Sequence, residues 1–168
     1  MTLPYAEPLT VRQPGARVVP EPPRRGESGG EPCGVCGGAS TTAVWADEHF
    51  TMHPPVQCAL PGTVWIASKV HADSFCDLPA DVAAASGSMV ARVEKAMLAA
   101  LDDVGRVHLY RWGDGGAHFH VWLMPRPLGM LEANGPHLPI WEDVLPNVAD
   151  EDCVRAAKQI ARALDEPS

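Results

Sequence analysis

The feature that most constrains this chain is the run Ala117–Met124, AHFHVWLM, in which polar and apolar side chains alternate. Successive side chains of a strand point to opposite faces, so the run fits a half-buried strand and no helix. Phe119, Val121 and Leu123 then face a core, while His118, His120 and Trp122 share the other face. Two histidines at this spacing sit about 6–7 Å apart, too far to bond each other. They can serve two neighbouring sites, hold one metal if their rings converge, or simply lie solvated on an exposed face.

The remaining pattern places this strand in an α+β fold. Gly62–Val70 reads as a strand after the Pro61-Gly62 turn, and Thr42–Ala46 as a short β-leaning run. Asp77-Leu78-Pro79 reads as a helix start, and Val82, Met89, Val93, Met97 and Leu101 then form one helical stripe ending near Gly105. Arg106–Trp112 is the next strand, joined by the glycine-rich turn WGDGGA to the alternating run as a hairpin, with Pro125 and Pro127 ending it. Residues 127–149 read as irregular, and Asp150 as the cap of a last helix lined by Val154, Ala157, Ala161 and Leu164. The expectation is a mostly antiparallel sheet with one long helix between strands and one C-terminal helix.

Residues 1–32 carry seven prolines (Pro4, Pro8, Pro14, Pro20, Pro22, Pro23 and Pro32) with few apolar residues, and read as a flexible arm before a domain at 33–168. The chain has 21 acids against 13 bases, a formal charge of −8, which argues against a general nucleic-acid binder. No stretch reaches the roughly 18–20 apolar residues of a membrane span. Met1–Arg12 shows no secretory leader, so a cytoplasmic protein with reduced cysteines is expected. Cys33-Gly34-Val35-Cys36, followed by two glycines, is half of a zinc site; a redox pair is the other reading, though no helix pattern follows Cys33. The missing ligands are sought among His49, His53, Cys58, His71, Cys76, His108, His118, His120 and His137.

Together these segments resemble the histidine-triad (HIT) superfamily. The run HFHVWLMPR is similar to its active-site strand, in which histidines alternate with apolar residues and Pro-Arg often follows. Ser68-Lys69-Val70-His71, then Asp73-Ser74-Phe75 and Asp77-Leu78-Pro79 before the long helix, resemble the family's upstream segment. A CxxC near the domain start occurs in its zinc-containing branch and in galactose-1-phosphate uridylyltransferase. The resemblance spans about Cys33–Arg126. It implies a closed structural zinc on Cys33, Cys36, His71 and His118. It also implies that His120 is a nucleophile attacking the α-phosphorus of a nucleotide, forming a covalent nucleotidyl-histidine. Gly113, Asp114, Gly115 and Gly116 of the turn, with Trp122 and Arg126, are the implied substrate-binding residues. A backbone carbonyl accepting from Nδ1–H of His120 would leave Nε2 free to attack. The implied partner is a small nucleotide or phosphoryl-linked substrate, with a homodimer as the oligomeric option.

Two departures stand out. The third motif position is Trp122, whose indole offers one N–H and no titrating group. Before the motif, Gly113-Asp114-Gly115 replaces the family's Gly-Gln-Ser, and an Asp facing a phosphate would repel it. The alternative reading is therefore a catalytically impaired, zinc-stabilised nucleotide-binding or scaffold module. A third is an unrelated zinc domain or a CxxC redox protein. Arg111 is a further candidate phosphate partner, and Cys58, Cys76 and Cys153 read as ordinary core or surface residues.

Overall fold

The computed structural model describes residues 3–5, 10 and 12–166. Of the prolines read as an arm, Pro8 lies outside the described residues, as do parts of the segment read for a leader. Five antiparallel strands form one sheet: β1 Trp45–Ala46, β2 Phe50–His53, β3 Val64–Ser68, β4 Val104–Tyr110 and β5 His120–Pro127, in the order β1-β2-β3-β5-β4. Helices α1 (Gly34–Thr42), α2 (Ala80–Ala100), α3 (His137–Val144) and α4 (Asp150–Asp165) complete it. No helix among the described residues is long and apolar enough to cross a membrane.

The alternation at 117–124 acts as expected. Phe119, Val121 and Leu123 are buried with Phe50, Met52, Val64 and Ile66 from β2 and β3. Against this face α2 packs Val82, Met89, Val93 and Met97, the stripe expected from its spacing, and α4 adds Ala157, Ile160 and Ala161. β4 and β5 form the expected hairpin, with Tyr110 opposite Trp122. The turn into β3 requires its glycine: Gly62 has φ +96°, and a Cβ there would lie 2.4 Å from Cδ1 of Leu101.

Several local expectations are corrected. Asp77 does not cap the long helix; its carboxylate accepts from the Ser74 amide (3.0 Å) and hydroxyl (2.6 Å), closing a separate 3-10 turn, and α2 begins after Pro79. Pro127 ends β5 as expected, but Pro125 lies inside it. Beyond Leu123 the strand has left β3 and pairs with β4 alone, so a missing N–H there breaks no two-sided ladder. Residues 137–144 are helical rather than irregular, and a helix does follow Cys33. Cys58 and Cys153, read as reduced, form a disulfide between the loop after β2 and α4.

The composition boundary at Cys33 also falls inside a segment that touches the domain. Arg24 pairs with Asp73 at 2.5 Å and donates to the Gly113 carbonyl at 2.5 Å. Arg25 bridges Gly116, its carbonyl accepting from the Ala117 amide at 2.8 Å.

Candidate active site beside a zinc-ligand cluster

Cys33, Cys36, His71 and His118 bring one ligand atom each into a group whose members all lie within 4.8 Å of one another. Cys33 Sγ is 3.3 Å from His118 Nδ1, Cys36 Sγ is 3.3 Å from His71 Nδ1, and Cys36 Sγ is 3.6 Å from His118 Nδ1. Tetrahedral zinc with sulfur at about 2.3 Å and nitrogen at 2.0–2.1 Å sets its ligand atoms roughly 3.3–3.8 Å apart. The proton positions agree. His118 Nε2 donates to the Ser68 carbonyl at 2.8 Å, so the lone pair of Nδ1 faces the sulfurs. Burial lowers the His118 pKa and keeps the ring neutral. Burial, then the neighbouring Cys33, raises that of the Cys36 thiol, the condition a cation between two thiolates relieves. The four side chains fit a structural zinc. Their donor set is closed, two thiolates and two imidazoles.

α1 explains how the cysteines reach this point. Its sequence, GVCGGASTT, has weak helix propensity. Its first turn is instead set by Cys33, whose Sγ accepts from the Cys36 amide at 3.4 Å. His118 lies just before β5, where Phe119 bonds both the Ser68 amide (3.1 Å) and the Ala72 carbonyl (2.5 Å), wedging this stretch between the flanks of His71.

His120, two residues on, is not part of the ligand cluster. Its Nδ1 donates to the His118 carbonyl at 2.7 Å, which selects the neutral tautomer with its lone pair on Nε2. The ring stands edge-on to Trp65 at 6.4 Å, opposite Ala67 of β3. It lines two clefts. The first, about 560 Å³, runs along α1 between Arg25, Gly115, Gly116 and His118. The second, about 530 Å³, runs toward α3 between Trp112, Gly115 and Trp122.

Of the residues expected to bind substrate, Gly115, Gly116 and Trp122 join His120 in these clefts; Gly113, Asp114 and Arg126 line neither. Gly113 has its carbonyl engaged by Arg24. Asp114 is exposed, so the repulsion its charge threatened is turned outward. Arg126 donates to the carbonyls of Pro127 and Met130, both at 3.2 Å, and holds the chain after β5. Arg111 donates to the Asp73 carbonyl at 2.8 Å and stacks over Phe119. The cation that does line the first cleft is Arg25, which sequence reasoning left in the arm. Its signal was the Arg24-Arg25 pair, followed by glycines at 26, 29 and 30 that allow a tight turn. His53, one of the candidate zinc ligands, is buried away from the cluster: its ring stacks on Trp65 at 4.0 Å between the hydroxyls of Thr42 and Thr51.

No sequence-family model matches the chain, and no curated protein matches it by sequence. Solved structures do. A HIT-like protein involved in cell-cycle regulation from Bartonella henselae superposes with TM-score 0.55 at 16% identity, over 73% of this chain and 85% of that one. A zinc-bound histidine-triad family protein from Mycobacterium smegmatis gives 0.54 at 19% identity, over 75% and 86%. A hypothetical histidine-triad nucleotide-binding protein from Sulfolobus tokodaii gives 0.53 at 17%, over 73% and 83%. The chain therefore has the histidine-triad fold, an α+β architecture on a five-stranded antiparallel sheet.

Proposed function

We propose that this protein is a nucleotide-conjugate hydrolase or nucleotidyltransferase that works through His120, with zinc on Cys33, Cys36, His71 and His118 as a structural support. The observation that carries this reading is the contact of His120 with the His118 carbonyl: the carbonyl accepts from Nδ1–H, which in the neutral ring leaves the Nε2 lone pair free on a ring shared by two clefts. In the proposed step the Nε2 lone pair bonds to phosphorus, and the bond to the leaving group breaks with its electrons going to that group. Water, losing a proton, or a second phosphate then displaces the histidine and returns the pair to Nε2. Arg25 and the amides of Gly115 and Gly116 supply positive charge and donors for the phosphate oxygens. The metal cluster shares the chain segment that aims His120, so it supports the direction of attack. On this reading the protein takes a small-molecule substrate, and the open edge of β4, with Leu109 exposed, supports a homodimer.

Trp122 supports a second reading, a nucleotide-binding module without turnover. It occupies the cleft where the resemblance expects a third imidazole, and it offers no proton to a poor leaving group. A screen of dinucleoside polyphosphates, nucleotide sugars and nucleoside phosphoramidates, with His120→Ala as control, separates the two. The enzyme reading expects turnover by wild type alone. Nucleotide-dependent stabilisation without turnover selects the binding module, and activity retained in His120→Ala rejects the assignment of the nucleophile.

A further inference from the structure

The cleft on the α3 side of His120 differs in chemistry from the cleft along α1. Trp112 and Trp122 wall it, their ring centres 6.2 Å apart and their planes inclined by 55°. Trp112 in turn stacks on Tyr110 at 5.2 Å, and Trp122 leans on Trp65 at 6.3 Å, so both indoles are held by other aromatic rings. Met124 and Pro139 add apolar floor. The charged residues among the described lining are two acids, Glu142 and Asp143 of α3, and no lysine or arginine lines it. The cleft along α1 has the opposite balance, with Arg25 as its charged residue.

Glu142 is held by a backbone amide and has no ion-pair partner among the described residues. Its Oε1 accepts from the Ala59 amide at 2.9 Å, while Oε2 is buried without any hydrogen-bond partner. Burial pushes its carboxyl up, with Asp143 adding to the effect. A carboxyl with no cationic partner among the described residues, lining one cleft with two indoles, is an arrangement that a planar cation satisfies on both counts. Ring faces attract positive charge, and the carboxylate oxygens accept its N–H donors. An anionic group in the same place would meet two acids and no donor side chain of positive charge.

We propose that this cleft seats a planar organic cation, an amidinium, guanidinium or protonated aromatic N-heterocycle, carried by the substrate on one side of the phosphate. The other side of the phosphate lies along α1 with Arg25 and the glycine-rich turn. Since Gly115 and His120 belong to both clefts, a phosphate at His120 can extend a group into each. The inference rests on the proposed chemistry only in placing a phosphate there. It distinguishes the site from one built for a second nucleotide or a polyphosphate chain, which the acids of α3 would repel.

The test uses three probes of one shape on the full chain: benzamidine (cation), benzamide (neutral) and benzoate (anion). NMR titration follows the indole N–H signals of Trp112 and Trp122, each assigned by substitution. Benzamidine should shift both signals and bind at least about tenfold more tightly than benzoate, with benzamide between them. Trp112→Ala should weaken benzamidine by about fivefold. The pair Glu142→Gln with Asp143→Asn should bring benzamidine and benzoate within about twofold of each other. The glutamine keeps an acceptor oxygen for Ala59, and Asp143→Asn alone, at an exposed position, gives a smaller change in the same direction if the pair fails to fold. Equal binding of the three probes, a preference for benzoate, or binding untouched by these substitutions overturns the proposal. Turnover plays no part in this readout. A cation preference in a protein that turns over no nucleotide conjugate would leave the cleft assignment standing and remove the enzyme reading; the converse result would do the reverse.

Discussion

Replacing His118 and His120 in turn should produce two different failures from neighbouring residues. His118 is buried, with Nδ1 on the sulfurs and Nε2 on Ser68. Structural zinc contributes roughly 10–16 kcal/mol in small metal-folded peptides, so each of four ligands accounts for about 3–4 kcal/mol if they share it evenly. A domain of this size has about 5–15 kcal/mol of net stability, so losing one ligand removes a large part of it. At about 2–4 °C per kcal/mol, His118→Ala should melt about 6–16 °C lower and lose zinc. His120 is half-buried and makes one hydrogen bond, worth about 0.5–1.5 kcal/mol. His120→Ala should therefore lower the melting temperature by only about 1–6 °C and keep close to one zinc per chain. Elemental analysis of protein purified without added metal, paired with thermal melts, reads both quantities. Loss of zinc by His120→Ala, or retention of zinc and stability by His118→Ala, would refute the division of labour between the two histidines.

Arg25→Ala should weaken nucleotide binding and leave zinc content unchanged, since Arg25 lines the cleft without belonging to the ligand set; unchanged nucleotide affinity would remove it from the phosphate site. Denaturation without reductant, followed by iodoacetamide and peptide mapping, should spare Cys58 and Cys153 and label Cys33, Cys36 and Cys76. Removing that bridge, which closes a sequence separation of 95 residues, should cost about 2–4 kcal/mol, whereas labelling of all five cysteines contradicts it. His53 is fully buried, and burial depresses its pKa below the ordinary 6.5. A base with a depressed folded pKa contributes stability that is present above its unfolded pKa and lost as pH falls below it. Stability should thus decline below about pH 6.5, and His53→Gln should flatten that decline; identical acid profiles for the two proteins would count against the assignment.

What was legible in the sequence was whatever depends on periodicity. The period-two run at 117–124 and the stripe on α2 dictated which faces are buried, and both faces are where the spacing puts them. Elements defined by distant contacts were not legible. α1 carries five weak helix formers in GVCGG, and its first turn is organised by a thiol rather than by propensity. The disulfide joins residues whose proximity depends on α4 docking across the sheet. Arg25 looked like part of an arm because composition cannot show that Arg24, its neighbour, pairs with Asp73 and draws the segment onto the site. The strand through Pro125 is a topological effect, since only the strand order reveals that β5 has one neighbour there.

The central claim is that Nε2 of His120 bonds to the phosphorus of the substrate. Rapid acid-free quench of wild-type protein mixed with the best substrate of the screen, followed by intact-mass and peptide analysis, tests it directly. The account predicts a nucleotidyl adduct on the peptide containing His120, formed and consumed at rates compatible with turnover and missing from His120→Ala. Turnover by wild type with no adduct at any time, or an adduct that persists in His120→Ala, contradicts it.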